Sequence, residues 1–130
     1  MTRVLLIDDT PEIAELLSFA LRDHGYTVAA VGFDPAVCDL VAEHQADAVV
    51  IDCTSFDMAE MLFDAVRANA DCAALPVVIV SDTPDKADAS LRRRDAEHVL
   101  LVPKPFTASH IARALAQLLN QSPLTNHPAP

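Results

Sequence analysis

Ala48-Val49-Val50-Ile51-Asp52 decides the fold: an apolar, strand-like run is stopped abruptly by a carboxylate. A charge in that place belongs where a parallel sheet opens to solvent. Three other runs end the same way. Val4-Leu5-Leu6-Ile7 leads into Asp8 and Asp9, Val77-Val78-Ile79-Val80 into Ser81, and Val99-Leu100-Leu101-Val102 is followed by Lys104. Ligands of an open parallel α/β sheet bind outside the carboxyl ends of its strands. Three carboxylates, a hydroxyl and an ammonium therefore belong to one site.

Outward from these runs, the chain alternates strand and helix. Residues 4–8 read as a strand, apolar from Val4 to Ile7 without a period of two, as expected when both faces are covered. Asp9-Thr10-Pro11-Glu12 then opens a helix, with Ile13, Leu16, Leu17, Ala20 and Leu21 on its apolar face and Gly25 closing it. A second strand spans Tyr26 to Val31, and the helix after it buries Val37, Leu40 and Val41. The third strand, Asp47 to Ile51, ends at Asp52, and Met58, Met61, Leu62, Ala65 and Val66 make the next helical face, with both methionines in the core. The helix from Pro84 to Asp95 is the weakest, with Ala87, Leu91 and little else to bury. Arg92-Arg93-Arg94 stands in its last turn, as a solvated helix end or a contact surface for an acidic partner. A fifth strand from His98 to Val102 precedes a last helix, capped by Thr107, whose face is Ile111, Leu115, Leu118 and Leu119. Strict alternation implies crossover connections and helices on both faces. The expected architecture is a five-stranded parallel doubly wound (βα)5 sheet of flavodoxin-like order 2-1-3-4-5, which sets Asp8 and Asp9 beside Asp52. The domain is expected over residues 1–121, with 122–130 a flexible tail or the start of a linker.

The 130 residues suit one domain, and 52% hydrophobic content supplies its core. A net charge of −10 argues against direct nucleic-acid binding; proteins with basic or apolar patches are the expected partners. No apolar stretch is long enough to cross a bilayer and the N-terminus enters a strand directly, so the default location is cytoplasmic. Cys38, Cys53 and Cys72 are odd in number and lack metal-ligand spacing, which suits reduced thiols. The histidines are scattered, which disfavours zinc.

Clustered carboxylates repel, and a hard divalent cation relieves them. Mg2+ fits, because it takes one or two carboxylates and keeps waters and a phosphate oxygen as other ligands. Lys104 can pair with Asp52 or with a phosphoryl group, and Ser81 adds a donor. A carboxylate so placed is arranged to become an acyl phosphate, which makes Asp52 the nucleophile.

These residues carry a resemblance. The chain is similar to response-regulator receiver domains of two-component systems, and to their stand-alone, chemotaxis-type members, through Asp8-Asp9, Asp52, Ser81 and Lys104-Pro105-Phe106 over residues 3 to about 120. The resemblance implies that a sensor histidine kinase or histidine phosphotransfer protein gives its phosphoryl group to Asp52, and that water later removes it. It also implies Mg2+ held by Asp9 and Asp52, with Asp8 acting through water and Thr54 through its carbonyl. Ser81 and Lys104 would bind phosphate oxygens, Lys104-Pro105 would be cis, and a homodimer through the fourth helix, fifth strand and fifth helix is a family habit. The protein would signal through contacts with a downstream protein target rather than act as an enzyme on other molecules.

Several positions depart from the pattern. Leu101 replaces the aromatic three residues before the lysine, so Ser81 and Leu101 cannot couple in the usual way. Phe56 and Glu60 stand where a Pro and a later Gly are usual, Asp82 replaces a small residue at the rim, and Glu97 replaces a glycine before the fifth strand. A degenerate receiver acting as a phosphorylation-independent interaction module is the alternative. A phosphohydrolase ranks last, because Thr54 stands where its second carboxylate is needed. The chain reads as a stand-alone regulator or as a receiver cut from a longer one.

Overall fold

The computed structural model describes residues 1–104 and 106–120. Its elements are β1 (Arg3–Asp8), α1 (Pro11–Asp23), β2 (Thr27–Val31), α2 (Val37–His44), β3 (Ala48–Asp52), α3 (Phe56–Ala68), β4 (Val77–Ser81), α4 (Pro84–Arg93), β5 (Val99–Pro103) and α5 (Ala108–Asn120). The strands pair in parallel in the order β2-β1-β3-β4-β5, the order read from the sequence. The expected 122–130 tail and the Lys104-Pro105 peptide lie outside the described residues. Among the described residues no helix is long and apolar enough to cross a membrane.

Every residue of β3 and of β4 is buried, because alternate side chains feed two cores. Leu6, Val50, Val78 and Val102 meet Leu17 and Leu21 of α1 and Ile111, Leu115 and Leu118 of α5. Leu5, Ile7, Val49, Ile51 and Ile79 meet Val37 and Val41 of α2 and Leu62, Phe63 and Val66 of α3. At about 25 cal/mol per Å2 of apolar surface, these two layers hold the strand ends in place.

Two helices are rotated from the expected faces. On α1 the buried residues are Leu17, Ser18 and Leu21, while Ile13, Leu16 and Phe19 are 38%, 66% and 59% exposed. On α3, Ala59, Leu62, Phe63 and Val66 turn inward and Met61 is 53% exposed, so Met61 is not core. Two apolar stripes with the same i, i+3, i+4 spacing coexist on α3, and periodicity alone does not say which one meets the sheet.

Local chemistry fixes the ends. Gly25 takes φ +93° after α1, where a side chain would be strained. Thr107 Oγ1 accepts from His110 N at 3.4 Å while Thr107 N donates to His110 Nδ1 at 3.2 Å. This is a reciprocal cap with an imidazole in place of the usual carboxylate. Ahead of β5, where Glu97 replaces the expected glycine, Asp95 and His98 take φ of 50° and 58°. Arg67 of α3 holds that loop, donating to the carbonyls of Glu97 and His98 at 2.8 and 3.0 Å and of Leu75 and Cys72 at 2.8 and 3.4 Å.

Candidate functional site

Strand register builds the site. Asp8 and Asp52, last residues of β1 and β3, are direct partners across the sheet, and both are buried, at 4% and 3% exposure. Val80 of β4 is the next partner of Asp52, so Ser81 lies one residue beyond. Lys104 N donates to the Ser81 carbonyl at 2.8 Å, and its ammonium reaches back to stand 3.0 Å from Asp52 Oδ1. Asp9, in the turn before α1, accepts from Thr54 N at 3.1 and 3.0 Å and from Thr54 Oγ1 at 3.0 Å. The structure thus brings Asp8, Asp9, Asp52, Thr54, Ser81 and Lys104 to one edge. Leu101 packs, half-buried, on the core beneath α2 and α3, and Phe106 on the opposite core.

The electrostatics are those of an unrelieved acidic cluster. Asp8 Oδ1 accepts from Thr10 N at 2.8 Å, but its buried Oδ2 has no donor. Burial raises the Asp8 pKa to about 6; the Thr10 amide opposes this and the Asp52 and Asp9 carboxylates reinforce it. Partial burial works to lower the Lys104 pKa, yet the hydrogen bond and charge of Asp52, with the charges of Asp82 and Asp8, raise it on balance. Burial, then the Asp9, Asp52 and Asp8 charges, pushes the Cys53 thiol up to about 12, so it stays neutral beside the site.

Among the described residues no three His, Cys, Asp or Glu side chains converge into a closed metal cage. Asp9 is hydrogen-bonded by Thr54. The donors still fit a cation that needs only one or two carboxylates and fills its shell with water, and the orphaned Asp8 Oδ2 marks where positive charge is wanted.

Thr83 was not evident as a partner of the site. Its N–H donates to Ser81 Oγ at 3.0 Å, and its hydroxyl lies 3.3 Å from the same oxygen. The signal was present in Thr83-Pro84, a capping residue before a first-turn proline.

A fold of this order, with acidic residues ending its first and third strands and a lysine after its fifth, defines a class of sheet-edge sites. The comparisons with known proteins identify which. A sequence model of the response regulator receiver domain matches residues 4–116, and the chain belongs to that family. It is 32% identical over 106 residues to the transcriptional regulatory protein KdpE of Mycobacterium tuberculosis, covering 82% of this chain and 46% of that one. Against the DNA-binding response regulator MtrA of Mycolicibacterium smegmatis the identity is 28% over 117 residues, covering 89% and 50%. The chain thus spans about half the length of these relatives. In fold it is similar to the receiver domain of a signal transduction histidine kinase from Syntrophus aciditrophicus (TM-score 0.80, 19% identity, 100% and 98% covered). It is also similar to the receiver domain of sensor histidine kinase PA1611 from Pseudomonas aeruginosa, which has magnesium coordinated in its active-site cleft (TM-score 0.74, 22% identity, 92% and 98% covered).

Proposed function

We propose that this receiver accepts a phosphoryl group on Asp52 from a phosphohistidine of a sensor kinase or phosphotransfer protein, in a reaction that needs Mg2+. The observation that carries the reading is the buried Asp52, tied to Lys104 at 3.0 Å and facing the undonated oxygen of Asp8. An Asp52 carboxylate oxygen attacks phosphorus, the phosphorus–nitrogen bond breaks with its electron pair returning to the imidazole, and an acyl phosphate forms. Lys104 moves from Asp52 to a phosphoryl oxygen, and Ser81 gives its hydroxyl to another. Asp9 and Asp52, aided by Asp8 and the Thr54 carbonyl, would hold Mg2+, which when bound neutralises the carboxylates and the incoming phosphate charge.

The donor's docking face is α1. Its exposed Ile13, Leu16 and Phe19 form an apolar stripe on the helix that starts at Pro11, directly after Asp9. A partner bringing a phosphohistidine to Asp52 approaches over that surface, and exposed apolar stripes of this kind favour protein contact.

Intact mass after incubation with Mg2+ and acetyl phosphate tests the acceptor. An adduct that needs Mg2+ and is absent from Asp52→Ala is expected. An unmodified wild type that also fails to bind beryllofluoride would replace this reading with that of a phosphorylation-independent interaction module.

A further inference from the structure

The sequence marked the segment after β4 as the least firmly held helix, and α4 does bury only Ala87 and Ser90 fully. Leu91 adds a half-buried contact with the core beneath α2 and α3, and the rest of the helix's anchoring is polar. Arg94, just past its last turn, reaches α3 with Nε and Nη2 donating to Asp64 Oδ1 and Oδ2 at 2.7 and 3.0 Å, a two-pronged fork. Its Nη1 stands 3.2 Å from Glu60 Oε2 and donates to the Ser90 carbonyl at 3.0 Å. Ser90 Oγ in turn donates to Glu60 Oε2, and Arg93 Nη2 stands 3.8 Å from the same oxygen. The Arg94 and Glu60 side chains are only 28% and 24% exposed, so water screens this network less than an open surface pair. The acceptor Glu60 stands where the receiver resemblance leads one to expect a glycine.

The other end of α4 is held differently. Thr83, its N-cap, is tied through its N–H to Ser81 Oγ. Thr83 Oγ1 also lies 3.3 Å from that oxygen; the proton that Ser81 would give to a phosphoryl oxygen is then lost to Thr83 Oγ1, while the Thr83 N–H bond to Ser81 Oγ can persist and carry movement of Ser81 into the start of α4. The C-terminal network shares no atom with the site.

We propose that Glu60, Asp64, Ser90 and Arg94 form a latch that fixes the C-terminal end of α4 on α3, confining α4's response to site occupancy to its Thr83 end. The occupancy half of this statement rests on the phosphoacceptor reading; the fixing of α4 does not. The latch adds charge to the thin apolar anchoring of Ala87 and Leu91 and sets how much of α4 can be released at once.

Hydrogen exchange read by mass spectrometry on the full chain tests this, with Glu60→Gln/Asp64→Asn as the variant because both changes keep side-chain shape. In the unmodified protein the variant's amides over 90–94 should exchange about tenfold faster, while the β-strand amides keep wild-type rates. With Mg2+ and beryllofluoride, wild type should exchange faster over 83–87 and unchanged over 90–94, whereas the variant should respond along the whole helix. Wild-type exchange over 90–94 in the unmodified variant overturns the latch, as does an equal response at both ends of α4 in wild type. Should the double variant unfold, Asp64→Asn alone carries the same expectation. Failure of the phosphoacceptor reading shows separately, as no adduct by intact mass, and the unmodified comparison still decides the latch.

Discussion

Asp8 shows how a single residue reports on the site. Buried, opposite a second carboxylate and satisfied at one oxygen only, it keeps its proton to about pH 6. The folded state thus holds this proton more tightly than the unfolded chain, whose Asp8 titrates near 3.8. The resulting stability is complete below that value and is lost as pH rises through about 6. In metal-free protein, Asp8→Asn should therefore gain stability relative to wild type on going from pH 4.5 to 7.5, read from urea midpoints in chelator; a difference that does not change with pH rejects the assignment. The same variant should bind Mg2+ more weakly at neutral pH, since one oxygen donor set has lost its charge. Asp82 acts from outside. It is exposed beside Ser81 and its charge is felt at Lys104, so it repels small anionic donors. Asp82→Ala should accelerate modification by acetyl phosphate several-fold, roughly 3- to 10-fold at low salt, and the gain should shrink as salt is added. An unchanged rate would remove Asp82 from the access path.

At the scale of elements, Arg67 holds the loop ahead of β5. Its guanidinium gathers carbonyls from the turn after α3 and from the approach to β5, and it lies 4.9 Å from the Phe63 ring. Arg67→Ala strips four main-chain carbonyls of their donor at once, three in part-buried bonds and one in an exposed bond, so a loss of about 2 kcal/mol is expected. Urea unfolding measures it, and a loss below about 1 kcal/mol would show that the loop finds other donors. Nothing in the sequence pointed to Arg67, because its partners are main-chain oxygens that any residue would offer. The strands were legible for the opposite reason: Val49, Val50, Ile51 and Asp52 read the same in isolation as in the sheet, and strand order followed from alternation. The site was legible because each of its residues ends a strand, where side-chain type is decoupled from packing. Helix rotation was not. Ile13 and Leu16, or Met61 against Phe63, are chosen between by what the sheet and neighbouring helices present, and one helix's periodicity does not contain that. Arg92 and Arg94 were equally ambiguous as a charge run. In the structure Arg92 pairs with Asp88, Arg94 with Asp64 and Glu60, and Arg93 stands 3.8 Å from Glu60, while the Arg92 and Arg93 side chains stay 79% and 68% exposed; Arg94 serves α4 itself, and the other two keep their charge at the surface.

Across the whole molecule, a net charge of −10 accompanies an exposed apolar stripe on α1. Leu16 and Phe19, on α1, stand among Glu12, Glu15 and Asp23, with Arg22 beside the last, all exposed. A mainly acidic rim of this kind works against association between like faces, and an apolar strip inside it suits a partner that carries basic groups around an apolar contact. The stripe is remote from both cores, so Leu16→Ser/Phe19→Ser should leave stability within about 0.5 kcal/mol of wild type. It should leave modification by acetyl phosphate unchanged as well, because a small donor needs only the strand ends. Transfer from a phosphohistidine protein depends on docking, and there the variant should fall at least about tenfold in rate at limiting donor, the loss that about 1.4 kcal/mol of apolar contact implies. Running both donors against both proteins separates the surface from the chemistry. Equal losses with the two donors would mean that the substitutions disturb the site through α1, whereas equal retention would move the docking surface off this helix.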